Sequence, residues 1–334
     1  MRTRMSLGVS LFAAAVGGLL AAGTASAAAV PETTSVPSNW YRADAVNGSD
    51  PSGTPNPQPD PNTYFQTWAD VSGNNRNATQ ANVNRRPTFR PADPAVPGSF
   101  PVVRFNLNGD VPAADGSAYS ADEFFYFLGR LANTDASKLT VFAVGNENRA
   151  GGTARNTVVS TRNGSGGFLL GYNNSSTSTA YAHIGRSMVP SGGVQTDALE
   201  ADGFNLAVLS RDGLTTTLSH YTDLGSGGTT ATWNGFTPST LTLANGTTEI
   251  TQIATEGGVN YFFGDLAELI IYDENQLGLA ERDAVVRYLG EKYAITAAAN
   301  VPEPTSLAAV AVGGLWLLRR RRPATAGPNG IDRT

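Results

Sequence analysis

Between residues 139 and 221 the sequence is a series of short β-compatible segments separated by turn residues, and that spacing limits the possible folds more than anything else in the chain. Leu139 to Val144 (L-T-V-F-A-V) is apolar on both faces, which predicts an inner strand. Thr157 to Thr161, Phe168 to Tyr172 and Thr179 to Ile184 follow, separated by N-G-S-G-G and N-N-S-S-T-S. Phe204, Leu206 and Val208 alternate with other residues as a half-buried strand does. Thr215 to Tyr221 is joined to that strand through Asp212-Gly213, a hairpin signal. Upstream, Val103, Phe105 and Leu107 alternate with Arg104 and Asn106, and Phe124 to Leu128 is an aromatic run. Downstream, Leu266 to Tyr272 reads as the last strand. Many short strands with Gly, Asn, Ser and Thr turns predict an all-β, two-sheet antiparallel sandwich or jelly roll. One helix is expected over Glu281 to Lys292, where Ala284, Val285, Tyr288 and Leu289 recur at helical spacing. Its expected place is over a sheet edge or the end of the sandwich.

The ends predict the compartment. Arg2 and Arg4 precede an apolar stretch from Leu7 to Leu20, and Ala25, Ser26, Ala27 form an A-x-A exit. This is the layout of a secretory leader, with cleavage expected after Ala27. At the other end Pro302, Glu303, Pro304 precede an apolar run from Thr305 to Leu318, then Arg319, Arg320, Arg321 and Arg322. That run would be about 21 Å long as a helix. It is short against a bilayer core of about 30 Å, and snorkelling arginines extend it. The arginine block should stay cytoplasmic. The division expected is 1–27 leader, 28–299 body, 300–322 sorting tail with a short transmembrane span, and 323–334 disordered tail. The proline-rich stretch from residue 47 to residue 63 reads as a long surface loop within the body.

Composition narrows the chemistry. The chain has no cysteine, so thiol catalysis, Cys-bound zinc and iron–sulfur clusters are excluded. Its two histidines, His183 and His220, are too few for a His-rich metal site. Calcium is the cofactor left open. Net charge is −5, and setting aside the six arginines named in the leader and tail leaves a body near −11. No nucleic acid partner is expected of so acidic a body. Lys138 and Lys292 are the only lysines.

The tail motif resembles the PEP-CTERM sorting signal in order, spacing and composition. That resemblance implies an exosortase as processing partner, transient anchoring in the inner membrane, and release to the cell surface or an exopolysaccharide matrix. The extension from Pro323 to Thr334 departs from the family pattern. The body resembles the LamG-like jelly-roll domains of the concanavalin A-like superfamily. The likeness is carried by W-Y-R-A-D (Trp40 to Asp44), by the segment from Trp68 to Gln80, by F-F-G-D-L-A-E-L-I-I-Y-D (Phe262 to Asp273) and by Ala280 to Tyr293. It implies rim loops that bind calcium, sugars or proteins, with exopolysaccharide or a surface protein as partner.

That superfamily includes glucanases, and a pair of catalytic carboxylates would mark an enzyme of that kind. Retaining hydrolysis needs two carboxylates about 5–5.5 Å apart. No strand carries E-x-D-x-E. Asp122 and Glu123 are adjacent, and Asp265 and Glu268 fall on opposite faces of a regular strand. The expectation is therefore no enzyme. Carbohydrate or protein binding is the leading role, and a glycan-cleaving enzyme or a purely structural matrix protein are the alternatives. Glu268, expected to share a face with Leu266 and Ile270, reads as a structural acid at the sheet–helix junction. Asp70, Asn74 and Asn75 form an oxygen-rich turn that could hold calcium or close Asx turns. Trp233 and Phe236, placed in a loop between strands, are the candidate sugar-stacking residues.

Overall fold

The computed structural model describes residues 30–31, 33–49, 54–92, 99–105, 125–127, 138–147, 156–161, 168–174, 177–184, 187–189, 204–212, 215–222, 229–233, 251–255, 261–273 and 277–295. These form an all-β sandwich of two antiparallel sheets with one helix near the C-terminal end. The first sheet contains β1 (Asn39–Arg42), β4 (Thr88–Arg90), β5 (Val102–Phe105), β7 (Lys138–Glu147), β12 (Asn205–Asp212), β13 (Thr215–Tyr221), β14 (Thr229–Trp233) and β16 (Gly264–Tyr272). Its order is β14-β13-β12-β7-β16-β5-β4, with β1 also on β16. The second sheet contains β2 (Thr67–Trp68), β3 (Ala78–Thr79), β6 (Phe125–Phe127), β8 (Asn156–Ser160), β9 (Phe168–Asn174), β10 (Thr177–Ile184), β11 (Ser187–Val189) and β15 (Gln252–Ile253). Its order is β11-β10-β9-β8-β15-β6-β3-β2.

Strand alternation builds two apolar layers. Leu139, Val141 and Ala143 of β7 face the second sheet and join Tyr41, Trp68, Phe105, Val159, Leu170, Leu209 and Leu269 in the sandwich core. Phe142 and Val144 point the other way, with Leu206, Val208, Ala267, Ile270 and Tyr272. The helix α1 (Leu279–Lys292) covers this outer face through Val285, Val286 and Leu289. The first sheet is thus buried on both sides, as its doubly apolar strands require. The helix lies over the middle of a sheet face, which corrects its expected place at an edge or end. Each of its buried Val and Leu side chains contributes about 1.5–3 kcal/mol relative to an exposed one.

The helix ends in a left-handed turn. Ala294 has φ +56°, and the Ile295 N–H donates to Gly290 O at 2.8 Å. Glycine is the usual occupant of that position, because a Cβ is strained there. Ala294→Gly is expected to raise stability by about 1 kcal/mol, read as a higher denaturant midpoint with unchanged slope.

One irregularity sets up the site. In β16, Leu266 pairs with Gly145 and Glu268 with Val144, so Ala267 is an extra residue. This is a β-bulge. It coincides with a change of neighbour: β5 pairs with Gly264 to Leu266, and β1 pairs with Glu268 to Ile271. The 3-10 turn Ala43–Ala45 follows β1 and lies against both β16 and β5 at this gap.

Candidate functional site

The bulge turns Glu268 to the helix side. Leu266 and Leu269 face the sandwich core, whereas Ala267 and Ile270 face α1. Glu268 therefore does not share a face with Leu266, which corrects the regular alternation expected from sequence. Asp265 pairs with Arg104, whose neighbours Val103 and Phe105 point into the sandwich, so Asp265 is on the outer face too. Asp265 and Glu268 lie on the same face after all.

The Glu268 side chain is fully buried and every oxygen has partners. Trp40 Nε1 donates to Oε1 at 2.6 Å, and the Tyr288 hydroxyl reaches the same oxygen at 3.5 Å. Lys292 Nζ and the Tyr293 hydroxyl donate to Oε2 at 2.7 and 2.8 Å. Lys292 also bridges to Asp44 Oδ2 at 3.2 Å. Asp44 is held in turn by Arg42, whose Nε and Nη2 each donate at 2.9 Å. Arg42 stands opposite Glu268 in the β1–β16 register and lies 5.4 Å from the Trp40 ring centroid. Two carboxylates and two cations thus tie β1, the 3-10 turn, β16 and α1 together. A second pair, Arg104 with Asp265, adds two donations of 2.8 Å beyond the bulge.

This arrangement fixes protonation. Burial opposes the Asp44 anion, but the Arg42 hydrogen bonds and the Lys292 and Arg42 charges outweigh it and hold its carboxyl below the ordinary 3.8. Burial, then the Glu268 charge, pushes the Tyr293 and Tyr288 phenols up, so both stay protonated donors. A depressed carboxyl stabilises the fold above its unfolded value and loses that contribution as pH falls through the folded value. Melting temperature is accordingly expected to fall below about pH 4, and Asp44→Asn should flatten that fall while lowering stability at pH 7.

Asp70 is 8% exposed, and its oxygens are taken by the chain itself. Oδ1 accepts from Trp40 N at 2.9 Å and Ser72 N at 3.0 Å; Oδ2 accepts from Ser72 Oγ at 2.8 Å and Arg76 N at 3.0 Å. Asn74 donates through Nδ2 to Pro37 O and Ser38 O, both at 3.0 Å. Asn75 takes φ +56° in the turn beyond Gly73. These contacts staple the turn to β1 and engage both oxygens of Asp70 within the chain. Among the described residues no three carboxylate or histidine side chains converge on one point. Asp70→Asn, which sets an NH2 against two donors, is expected to cost about 1–3 kcal/mol, equally in calcium and in EDTA.

Trp233 is the last residue of the edge strand β14, opposite Thr216, and not a loop residue. Thr229 to Thr232 ahead of it are Thr-rich and suit a strand. Phe236, Ala27, Pro302, Glu303, Pro304 and Arg319 to Arg322 lie outside the described residues. Sequence reasoning missed the partners of Glu268, since Trp40, Lys292 and Tyr293 carry no local motif. It also missed Asp44 as their second acid. Among the described residues, no helix is long and apolar enough to cross a membrane.

No protein-family model and no curated protein matches the sequence. Among solved structures, the chain is similar to Trypanosoma rangeli sialidase at 14% identity and TM-score 0.39, over 79% of this chain and 35% of that one. A GH54 α-L-arabinofuranosidase follows at 12% identity and TM-score 0.42, over 70% of this chain and 51% of that one. The CBM40 of Ruminococcus gnavus IT-sialidase matches 46% of this chain and 84% of its own, at 15% identity and TM-score 0.35. The chain thus spans about a third of the sialidase and half of the arabinofuranosidase. These neighbours are glycan-cleaving or glycan-binding β-sandwich proteins. The expectation that the chain is no enzyme is withdrawn: the sialidase and the arabinofuranosidase are glycoside hydrolases. The bulge also removes one of its grounds, the opposite faces of Asp265 and Glu268.

Proposed function

We propose that this chain is an exported carbohydrate-handling protein. On this reading a leader ends at Ala27, and an exosortase reads and cuts the tail carrying Pro302, Glu303, Pro304 and Arg319 to Arg322. The body is then left at the cell surface or in an exopolysaccharide matrix. The observation that supports it is the junction of body and tail. Ile295 is the last buried residue described, and only the segment 296–301 separates it from Pro302. A domain with two apolar layers of its own is followed at once by the sorting motif, as a cargo and its address would be. The carbohydrate part rests on the LamG-like segments around Trp40 and Glu268. Glycan cleavage is the second reading, favoured by the shared face of Asp265 and Glu268.

The body, residues 28–299, can be passed over the host's purified exopolysaccharide in calcium and in EDTA, with reducing ends assayed in the same tubes. Retention without new reducing ends would support binding, and new reducing ends would support cleavage. Neither signal would overturn the carbohydrate reading and leave a protein partner or a purely structural role.

A further inference from the structure

Of the chain's 23 Lys and Arg residues, only Lys138 and Lys292 are lysines. Arginines serve the pairs with Asp44, Asp265 and Asp273, through Arg42, Arg104 and Arg76. The cation set between two acids is Lys292. Its Nζ lies 2.7 Å from Glu268 Oε2 and 3.2 Å from Asp44 Oδ2. The difference is chemical: a guanidinium keeps its proton in a protein, whereas an ammonium can give one up and become a nucleophile. Water has little access here. The Glu268, Lys292 and Asp44 side chains are 0%, 19% and 28% exposed. Nζ also lies 5.7 and 5.1 Å from the ring centroids of Tyr288 and Tyr293. The chain has no cysteine, so no disulfide can fasten the body.

We propose that Lys292 and Asp44 condense to an amide within the folded body, with Glu268 as the proton carrier. A proton passes from Nζ to Oδ2 across their 3.2 Å contact, which leaves a neutral amine beside a neutral acid. The nitrogen lone pair attacks Asp44 Cγ, and Glu268 Oε2 takes a second proton from the nitrogen. Oδ1 carries the negative charge of the tetrahedral intermediate, and Arg42 Nε already donates to it at 2.9 Å. The Cγ–Oδ2 bond then breaks, and Oδ2 leaves as water with the proton that Glu268 returns. One ammonium and one carboxylate become one amide and one water, and Glu268 ends as it began. Holding the two groups in contact supplies the effective concentration that free amines and acids lack in water. Arg42 keeps Asp44 ionised, so the neutral pair is scarce and the bond forms slowly after folding. The link joins the 3-10 turn after β1 to the end of α1 and closes nearly the whole body into one loop. It restricts the unfolded chain as a disulfide does. It also removes both charges, so the acid sensitivity due to Asp44 belongs to the unlinked chain. The leader, tail and carbohydrate readings are not needed for it.

The test uses the full chain, purified from an exporting host and kept folded, both fresh and after long storage. Trypsin cuts after Lys292 only while its amine is free. In the linked chain that cut should be lost. The tryptic peptide that begins at Ala43 should appear joined to the one holding Lys292, lighter than the two together by one water, about 18 Da. The joined peptide should accumulate with storage. Lys292→Arg, which keeps the charge, should never show it. Glu268→Gln, followed while its near-UV circular dichroism stays native, should link about a hundredfold more slowly. Linking of that variant at the wild-type rate would remove Glu268 as the proton carrier. A folded wild-type chain that keeps Lys292 cleavable and loses no water would overturn the proposal. Loss of water with Lys292 still cleavable would mean a cyclised aspartate and would overturn it equally.

Discussion

Glu268→Ala is expected to cost about 3–5 kcal/mol of stability, the usual penalty for breaking a buried ion pair from one side. The loss is not mainly that of an attraction. Trp40 Nε1 loses the acceptor it now has, the Tyr293 hydroxyl is left with Ala267 O at 3.4 Å, and Lys292 is left with Asp44 and the Tyr288 hydroxyl. Urea unfolding should show the drop as a shifted midpoint. The double variant Glu268→Leu with Lys292→Met should recover part of it, because removing both charges removes their desolvation as well. If the single variant lost less than about 1 kcal/mol, the cluster would be a surface ion pair in all but position, and its proposed hold on β1 and α1 would fail.

Gly264→Ala is expected to be as damaging, by a different route. A Cβ at Gly264 would stand 2.1 Å from Asn146 O and 2.9 Å from Phe262 Cζ. The first of these is backbone and cannot swing aside. β16 would have to move off β7 where the two strands begin their pairing, Gly264 with Glu147. Overpacking ordinarily costs about 1–3 kcal/mol, and a backbone clash in a doubly buried sheet should reach the top of that range or pass it. Gly278→Ala is the control: nothing lies within 4 Å of its Cβ, and its effect should stay within about 0.5 kcal/mol.

Elements whose pattern is decided by their own residues were legible. β7 was visible because L-T-V-F-A-V is apolar on both faces, and β13 ran from Thr215 to Tyr221 as the hairpin signal implied. The helix was recognisable from four residues at helical spacing, although its place on the sheet was not. Strands of two or three residues, such as β2, β3 and β15, are too short for any period to show. β14 was hidden because Thr-rich segments read equally well as loop. The bulge at Ala267 could not be anticipated, since alternation is assumed when faces are assigned, and it alone decided where Asp265 and Glu268 point. The Glu268 cluster was out of reach for another reason. Trp40 and Glu268 are 228 positions apart, and no local motif links them.

That separation also sets a timetable. A chain that emerges N-terminus first presents β1 long before β16 exists, yet among the described strands β1 pairs with β16 alone. Residues 39–42 therefore wait, with their edge unpaired, until nearly the whole body is through. The closing strand pairing is the most non-local among the described strands, which makes folding slow for the chain's size. A body cut short before Gly264 would lack the strand that β1, β5 and β7 all share. It should be a substrate for proteases rather than a smaller version of the same domain.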